Sequence, residues 1–235
     1  MRGLEGRYEL VGVDRAFRRP PNVRRRNLAR SRFLGSIFEG ADAVVDLAGL
    51  ADHRTDWKRV WQNNLPATMS ALEAARRAGV RRYVFASSNH VTGLYERDRP
   101  YSAIVAGDYA GLDPGSIPLI GASSPVRPDG AYALGKLLGE AAARWYAETS
   151  GLSAICLRIG TVNAEDRPLQ PRHFATLLTH ADLVRLVECA LQAPADLGFG
   201  VYYGVSRNTW RFWDVADAAA QIGYDPQDDA ERFRP

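Results

Sequence analysis

Tyr132 and Lys136 stand four residues apart in AYALGKLLGEAAARWYAE (131–148). The strong helix formers and apolar spacing of that segment predict a helix. At that spacing the phenol and the ammonium leave one helix face. Ser87-Ser88-Asn89-His90 follow a predicted strand at 80–86 (VRRYVFA), at the strand end where parallel sheets bind ligands. A hydroxyl, a phenol and a cation at one edge suit proton removal from an alcohol. Free tyrosine, with a pKa near 10, is a poor base at neutral pH. A lysine cation about 5 Å away, at an effective dielectric of ~20, stabilises phenolate by about 3 kcal/mol, or roughly two pKa units. That brings Tyr132 toward a working general base. The plainer reading is an amphipathic helix with an incidental tyrosine. Ten tyrosines with only two lysines in the chain give about 0.09 such pairs by chance.

The elements that must position these groups alternate. Strands are predicted at 8–13 (YELVGV), 43–48 (AVVDLA), 80–86, 153–159 (SAICLRI) and 199–205 (FGVYYGV). Helices are predicted at 31–39, 56–78 with a break or restart forced by Pro66, 131–148, 181–193, and 212–222 closed by Gly223. Continuous apolar strands alternating with helices predict an α/β fold, a Rossmann-like doubly wound parallel sheet with helices on both faces. The segment 88–130, rich in Gly, Pro, Ser and Asp, reads as a long functional loop. The whole of 1–235 reads as one domain, its dinucleotide-binding core in 1–159. The remainder, 160–235, mixes core with a small substrate lobe.

Composition narrows the function classes. At 46% hydrophobic and 24% charged over 235 residues, the chain is an ordinary globular protein. No apolar run approaches the ~20 residues of a membrane span, and MRGLEGRYEL lacks a signal peptide's apolar stretch. Two cysteines, Cys156 and Cys189, make no disulfide framework, which favours a cytoplasmic protein. His53, His90, His173 and His180 lack metal-ligand spacing, so no metal is expected. The first 32 residues hold ten arginines against Glu5, Glu9 and Asp14, a surplus of seven positive charges. No aromatics interleave with that run as stacking platforms. A solvated face is therefore expected, with no nucleic acid and no membrane partner.

Five blocks make a more specific statement: VFASSNHVTGLYE (84–96), RPDGAYALGKLLGE (127–140), LRIGTVN (157–163), THADLVRLVECALQAP (179–194) and VYYGVSRNTWRFWD (201–214). In this order they resemble the extended short-chain dehydrogenases of the NAD-dependent epimerase/dehydratase type, nearest to the uronate dehydrogenases. The similarity runs from Tyr8 to Phe233. It implies an NAD-dependent oxidoreductase that converts the anomeric hydroxyl of a uronate or aldose to the lactone. It implies a small sugar as the substrate partner, and it leaves a homo-oligomer open. By resemblance Ser88, Tyr132 and Lys136 form the catalytic triad, and Tyr132 and Lys136 also contact NAD. Asn89, His90 and Thr161 (a serine in the family) match sugar contacts. Arg172, eight residues before His180, matches an arginine that grips a carboxylate, a task suited to a bidentate fork. Asp14 matches the acid that holds the adenine ribose, which favours NAD over its phosphorylated form. Nearby Arg15, Arg18 and Arg19 could instead accept a phosphate. Asn27 stands where relatives carry an aspartate near the adenine, and Ala48-Gly49 match backbone over the cofactor.

The sequence also departs from that pattern. Ala51 replaces a family serine. The Gly-rich phosphate loop, expected about 20 residues before Asp14, would fall upstream of Met1, so a truncated reading with compromised NAD binding is expected. In the order 3-2-1-4-5-6 the strand that precedes that loop is central, and the loss of that strand leaves 8–13 and 43–48 without a shared neighbour. The loop at 97–126 is longer than in compact uronate dehydrogenases. NAD-dependent glucose-6-phosphate dehydrogenases resemble the chain too, but residues 100–126 carry no basic side chain for a phosphate. A nucleotide-sugar epimerase or dehydratase, or a cofactor-free binding protein, are the competing readings.

Overall fold

The computed structural model describes residues 2–16, 23–30, 35–52 and 54–234. Part of the predicted helix 31–39, together with Arg18, Arg19 and His53, lies outside them. Four parallel strands form the main sheet in the order β3-β4-β5-β6: β3 (Ala43–Asp46), β4 (Arg82–Ser88), β5 (Ser153–Ile159) and β6 (Phe199–Gly204). A separate parallel pair joins β1 (Gly12–Asp14) to β2 (Val23–Arg25). The described strands thus follow the doubly wound order with a gap between β1 and β3. The expectation that these two segments lack a shared neighbour holds.

Side chains alternate across each strand, so the sheet needs cover on both faces. Tyr83, Phe85, Ala154 and Cys156 meet Leu72, Ala75, Ala143 and Tyr146 on one face. Those partners come from α2 (Leu65–Arg77) and α4 (Ala131–Ser150). Val84, Ile155, Leu157 and Tyr202 meet Leu186, Ala190, Ala218 and Tyr224 on the other, around α6 (His180–Gln192) and α7 (Ala216–Ile222). Each large apolar side chain so buried contributes about 1.5–3 kcal/mol.

Several expected boundaries move. The first strand is Gly12–Asp14, and residues 35–37 form a 3₁₀ turn in place of a helix. The restart expected at Pro66 is present: α1 (Trp57–Arg59) passes through a π-helical turn at Val60–Asn64, and α2 begins at Leu65 with Pro66 in its first turn. The wider turn sits where the proline ring would meet the preceding carbonyl. The segment 88–130 is not an open loop. It holds 3₁₀ turns over Asn89–Arg97 kinked at Thr92, α3 (Tyr101–Ala106), and a 3₁₀ turn at Pro114–Ser116. Tyr101, Ile104, Ile117 and Ile120 bury themselves against Tyr203, Phe212 and Trp213, which orders a stretch whose composition suggests turns. The last helix begins at Ala216 rather than 212, ending as expected at left-handed Gly223.

α4 lies close against the sheet at Gly139 and close against the π-helical turn at Gly135. A Cβ at Gly139 would stand 2.5 Å from the Phe85 ring, and one at Gly135 2.5 Å from Val60. A buried polar cluster then fixes the helix. Glu140 accepts the Arg158 fork at 2.9 Å on both oxygens and the Ser87 hydroxyl at 2.5 Å. Arg158 also reaches the Tyr203 hydroxyl at 3.2 Å. Removing one partner strands the other charge in low dielectric, at a cost of about 3–5 kcal/mol. Glu140→Ala should therefore lose that much stability in urea unfolding; a loss under about 1 kcal/mol would contradict the cluster's role.

Candidate active site

The C-terminal end of β4 delivers Ser88, Asn89 and His90, and α4 delivers Tyr132 and Lys136 from one face. Ser88, Asn89, Tyr132 and Lys136 are all at least nine-tenths buried. The Ser88 hydroxyl accepts from the His90 amide at 3.2 Å. His90 packs edge-on to Tyr132 with ring centroids 6.3 Å apart, and its Nδ1 pairs with Asp129 at 2.5 Å. The Asn89 side-chain amide nitrogen is buried and has no hydrogen-bond partner. A buried donor left this way costs about 1–3 kcal/mol, which a ligand oxygen would recover.

Lys136 does not do what its spacing suggests. Its ammonium lies 5.8 Å from the Tyr132 ring centroid and donates to the Ala86 carbonyl at 2.6 Å. Burial pushes the Tyr132 phenol above its ordinary value, and the Ser88 hydroxyl is what opposes that rise. The expected depression by lysine is thus absent: desolvation of the phenolate outweighs the Ser88 hydrogen bond that opposes it. Lys136 is itself pulled down by burial, against the attraction of Asp46. Sequence reasoning missed Asp46, the last residue of β3. It is 4% exposed, accepts from the Tyr83 hydroxyl at 2.7 Å and the Ala48 amide at 2.9 Å, and burial raises its pKa.

Asp14, Asn27, Ala48 and Gly49 all line one cavity of about 1400 Å³ between β1 and β3. Asp14 accepts from the Ala16 amide at 2.7 Å, and Asn27 from the Ala29 amide at 3.1 Å. Asn64, also unforeseen, ties the far side: it accepts from Leu50 N at 2.9 Å and donates to Leu50 O at 3.1 Å. An asparagine one helical turn past two exposed tryptophans is the only sequence signal it leaves. The cavity exceeds the ~300–1,000 Å³ of ordinary ligand pockets. Its carboxylate, amides and exposed backbone fit the adenosine end of a dinucleotide. No G-x-x-G-x-x-G turn occurs in the sequence to cradle a diphosphate.

Thr161, past the end of β5, shares a hydrogen bond with Thr176 at 2.7 Å and accepts from Arg172 at 3.2 Å. Arg172 was expected to present an open fork. Its Nε and Nη2 instead donate to Glu96 at 2.7 and 2.6 Å.

Residues 2–220 match the family model for the NAD dependent epimerase/dehydratase family. The chain belongs to the NAD-dependent epimerase/dehydratase family. It is 36% identical to a uronate dehydrogenase of Pseudomonas syringae pv. tomato, over 88% of this chain and 67% of that protein. It is 32% identical to an NAD-dependent glucose-6-phosphate dehydrogenase of Haloferax volcanii, over 84% of this chain and 72% of that one. A crystal structure of a mutant uronate dehydrogenase from Agrobacterium tumefaciens complexed with NAD superimposes with a TM-score of 0.79 at 30% identity. That superposition covers 99% of this chain and 80% of the other. The Rossmann-like α/β expectation is borne out, and NAD is the family's cofactor.

Gly49 sits at φ +140, where a Cβ would also stand 3.3 Å from Asn64 Cγ. Backbone strain of this kind costs about 1–3 kcal/mol. Gly49→Ala should lower the unfolding free energy by that amount; unchanged stability would show that the segment relaxes freely.

Proposed function

We propose that this protein is an NAD-dependent sugar dehydrogenase that oxidises the anomeric hydroxyl of an aldose or uronate to its lactone. The observation that carries the reading is the buried cluster of Ser88, Tyr132 and Lys136 beside the unpartnered Asn89 amide, at the ligand-binding edge of a parallel sheet.

NAD, when bound, would supply the hydride acceptor for the anomeric carbon. The chain's own residues handle the proton and the orientation. Ser88 and the Asn89 amide hold the sugar oxygens, and the Tyr132 phenolate removes the hydroxyl proton. Lys136 supplies the positive charge on the same helix face, anchored by the Ala86 carbonyl. His90, braced by Asp129, walls the sugar. Asp14, Asn27, Ala48 and Gly49 hold the adenosine half of NAD, with Tyr132 and Lys136 at the nicotinamide end. The uronate and aldose dehydrogenases among the relatives favour this reading over an epimerase or a binding protein.

Trp57, Trp61, Met69, Leu134, Leu138 and Trp145 are exposed on α1, the π-helical turn that follows it, α2 and α4, which supports self-association. Among the described residues no helix is long and apolar enough to cross a membrane. Together with two free cysteines, this supports a cytoplasmic setting.

The test is NADH formation at millimolar NAD with a panel of aldoses and uronates. Because burial raises Tyr132, the phenolate fraction, and with it the rate, should climb from neutral to alkaline pH. Tyr132→Phe should cut kcat at least ~100-fold, the scale of general-base loss, and flatten that profile. Near-normal turnover by the variant would remove Tyr132 from the reaction.

A further inference from the structure

We infer that Glu96 is a specificity-determining residue that closes the Arg172 fork and tunes this site to neutral sugars rather than sugar acids. The inference rests on the sugar-dehydrogenase reading above.

Arg172 belongs to the site by a chain of contacts. Its Nη1 donates to Thr161 just past β5, and its guanidinium lies 5.9 Å from the Trp213 ring centroid. The Trp213 indole donates to Thr92, whose hydroxyl also donates to the carbonyl of Asn89. All of this sits above the C-terminal ends of β4 and β5, on the side where Ser88 and Tyr132 meet. An open guanidinium there would select a carboxylate, the planar anion its fork matches.

Glu96 takes that place. Both of its oxygens are engaged, at 2.6 and 2.7 Å, and both side chains are less than a fifth exposed. The chain on either side of Glu96 is tied down. Leu94 donates its amide to the Arg127 carbonyl, and Arg127 donates its own to the Val91 carbonyl, each at 3.0 Å. The Arg127 guanidinium covers the Tyr95 ring at 4.7 Å and pairs with Asp98. The pair therefore presents no net charge to a ligand. A sugar carboxylate entering the fork must displace Glu96 and leave one carboxylate half-buried and unpaired, whereas a hydroxymethyl group asks for no such exchange.

The test compares kcat/KM of the wild-type protein for glucose against glucuronate, and galactose against galacturonate. The expected result is at least a tenfold preference for the neutral partner in each pair. Glu96→Gln keeps the shape while removing the charge. It should raise the acid-to-neutral ratio at least tenfold, and glucuronate binding by calorimetry should tighten by a similar factor. A wild-type preference for the acids, or a ratio unmoved in Glu96→Gln, would overturn the inference. The wild-type comparison stands even if the variant fails to fold. If no sugar of either kind yields NADH, the dehydrogenase reading falls. Calorimetry then decides Glu96 separately: tighter glucuronate binding by Glu96→Gln supports its role, and equal binding refutes it.

Discussion

Glu140 holds the reacting groups in one place. Its carboxylate, 4% exposed, joins three elements at once: α4, which bears it, β4 through Ser87, and β5 through Arg158. Such a pair does not have to add stability, since desolvating two charges offsets most of their attraction. What it adds is register. Glu140 lies one turn beyond Lys136 and two beyond Tyr132, while Ser87 immediately precedes Ser88. A slip of α4 along the sheet would strand two buried charges before it moved the phenol away from the serine.

The same desolvation that makes the pair costly sets the electrostatics of the site. A buried phenol resists ionisation, and a buried ammonium resists staying charged. Tyr132 is raised and Lys136 lowered, each chiefly by its own burial. Asp46 keeps the balance from the far side, favouring the charged lysine while being itself raised by burial. Asp46 and Lys136 perturb each other, while Tyr132 answers to burial and to the Ser88 hydroxyl. A single cation beside a tyrosine does not describe it.

Much of this was legible in the sequence where local pattern and tertiary demand agree. SAICLRI is apolar at five of its seven positions and forms β5 with the expected limits, because a strand buried on both faces tolerates a polar residue only where it finds a partner, as Arg158 does in Glu140. α4 runs as its formers suggest and stops at Gly151 in the left-handed region. The segment after Ser88 was not legible, because its short turns depend on distant partners: Ile120 pairs with the backbone of Phe212 and Asp214, and Leu94 with Arg127. β2 is three residues, Val23-Arg24-Arg25, with no apolar pattern of its own. The Arg172–Glu96 pair spans 76 residues, a distance at which spacing carries no signal. The pKa of Tyr132 was misjudged for a related reason: burial is a property of the fold, and the Tyr-Lys spacing says nothing about it.

The central claim is that a hydride leaves the anomeric carbon of a sugar as Tyr132 takes the hydroxyl proton. The most direct measurement uses a sugar carrying deuterium at that carbon, with NAD in excess, and follows the label by mass spectrometry. The account predicts that the deuterium appears in the reduced cofactor, with a slowed rate and a sugar lactone as product. Deuterium retained in the sugar or lost to water would contradict it.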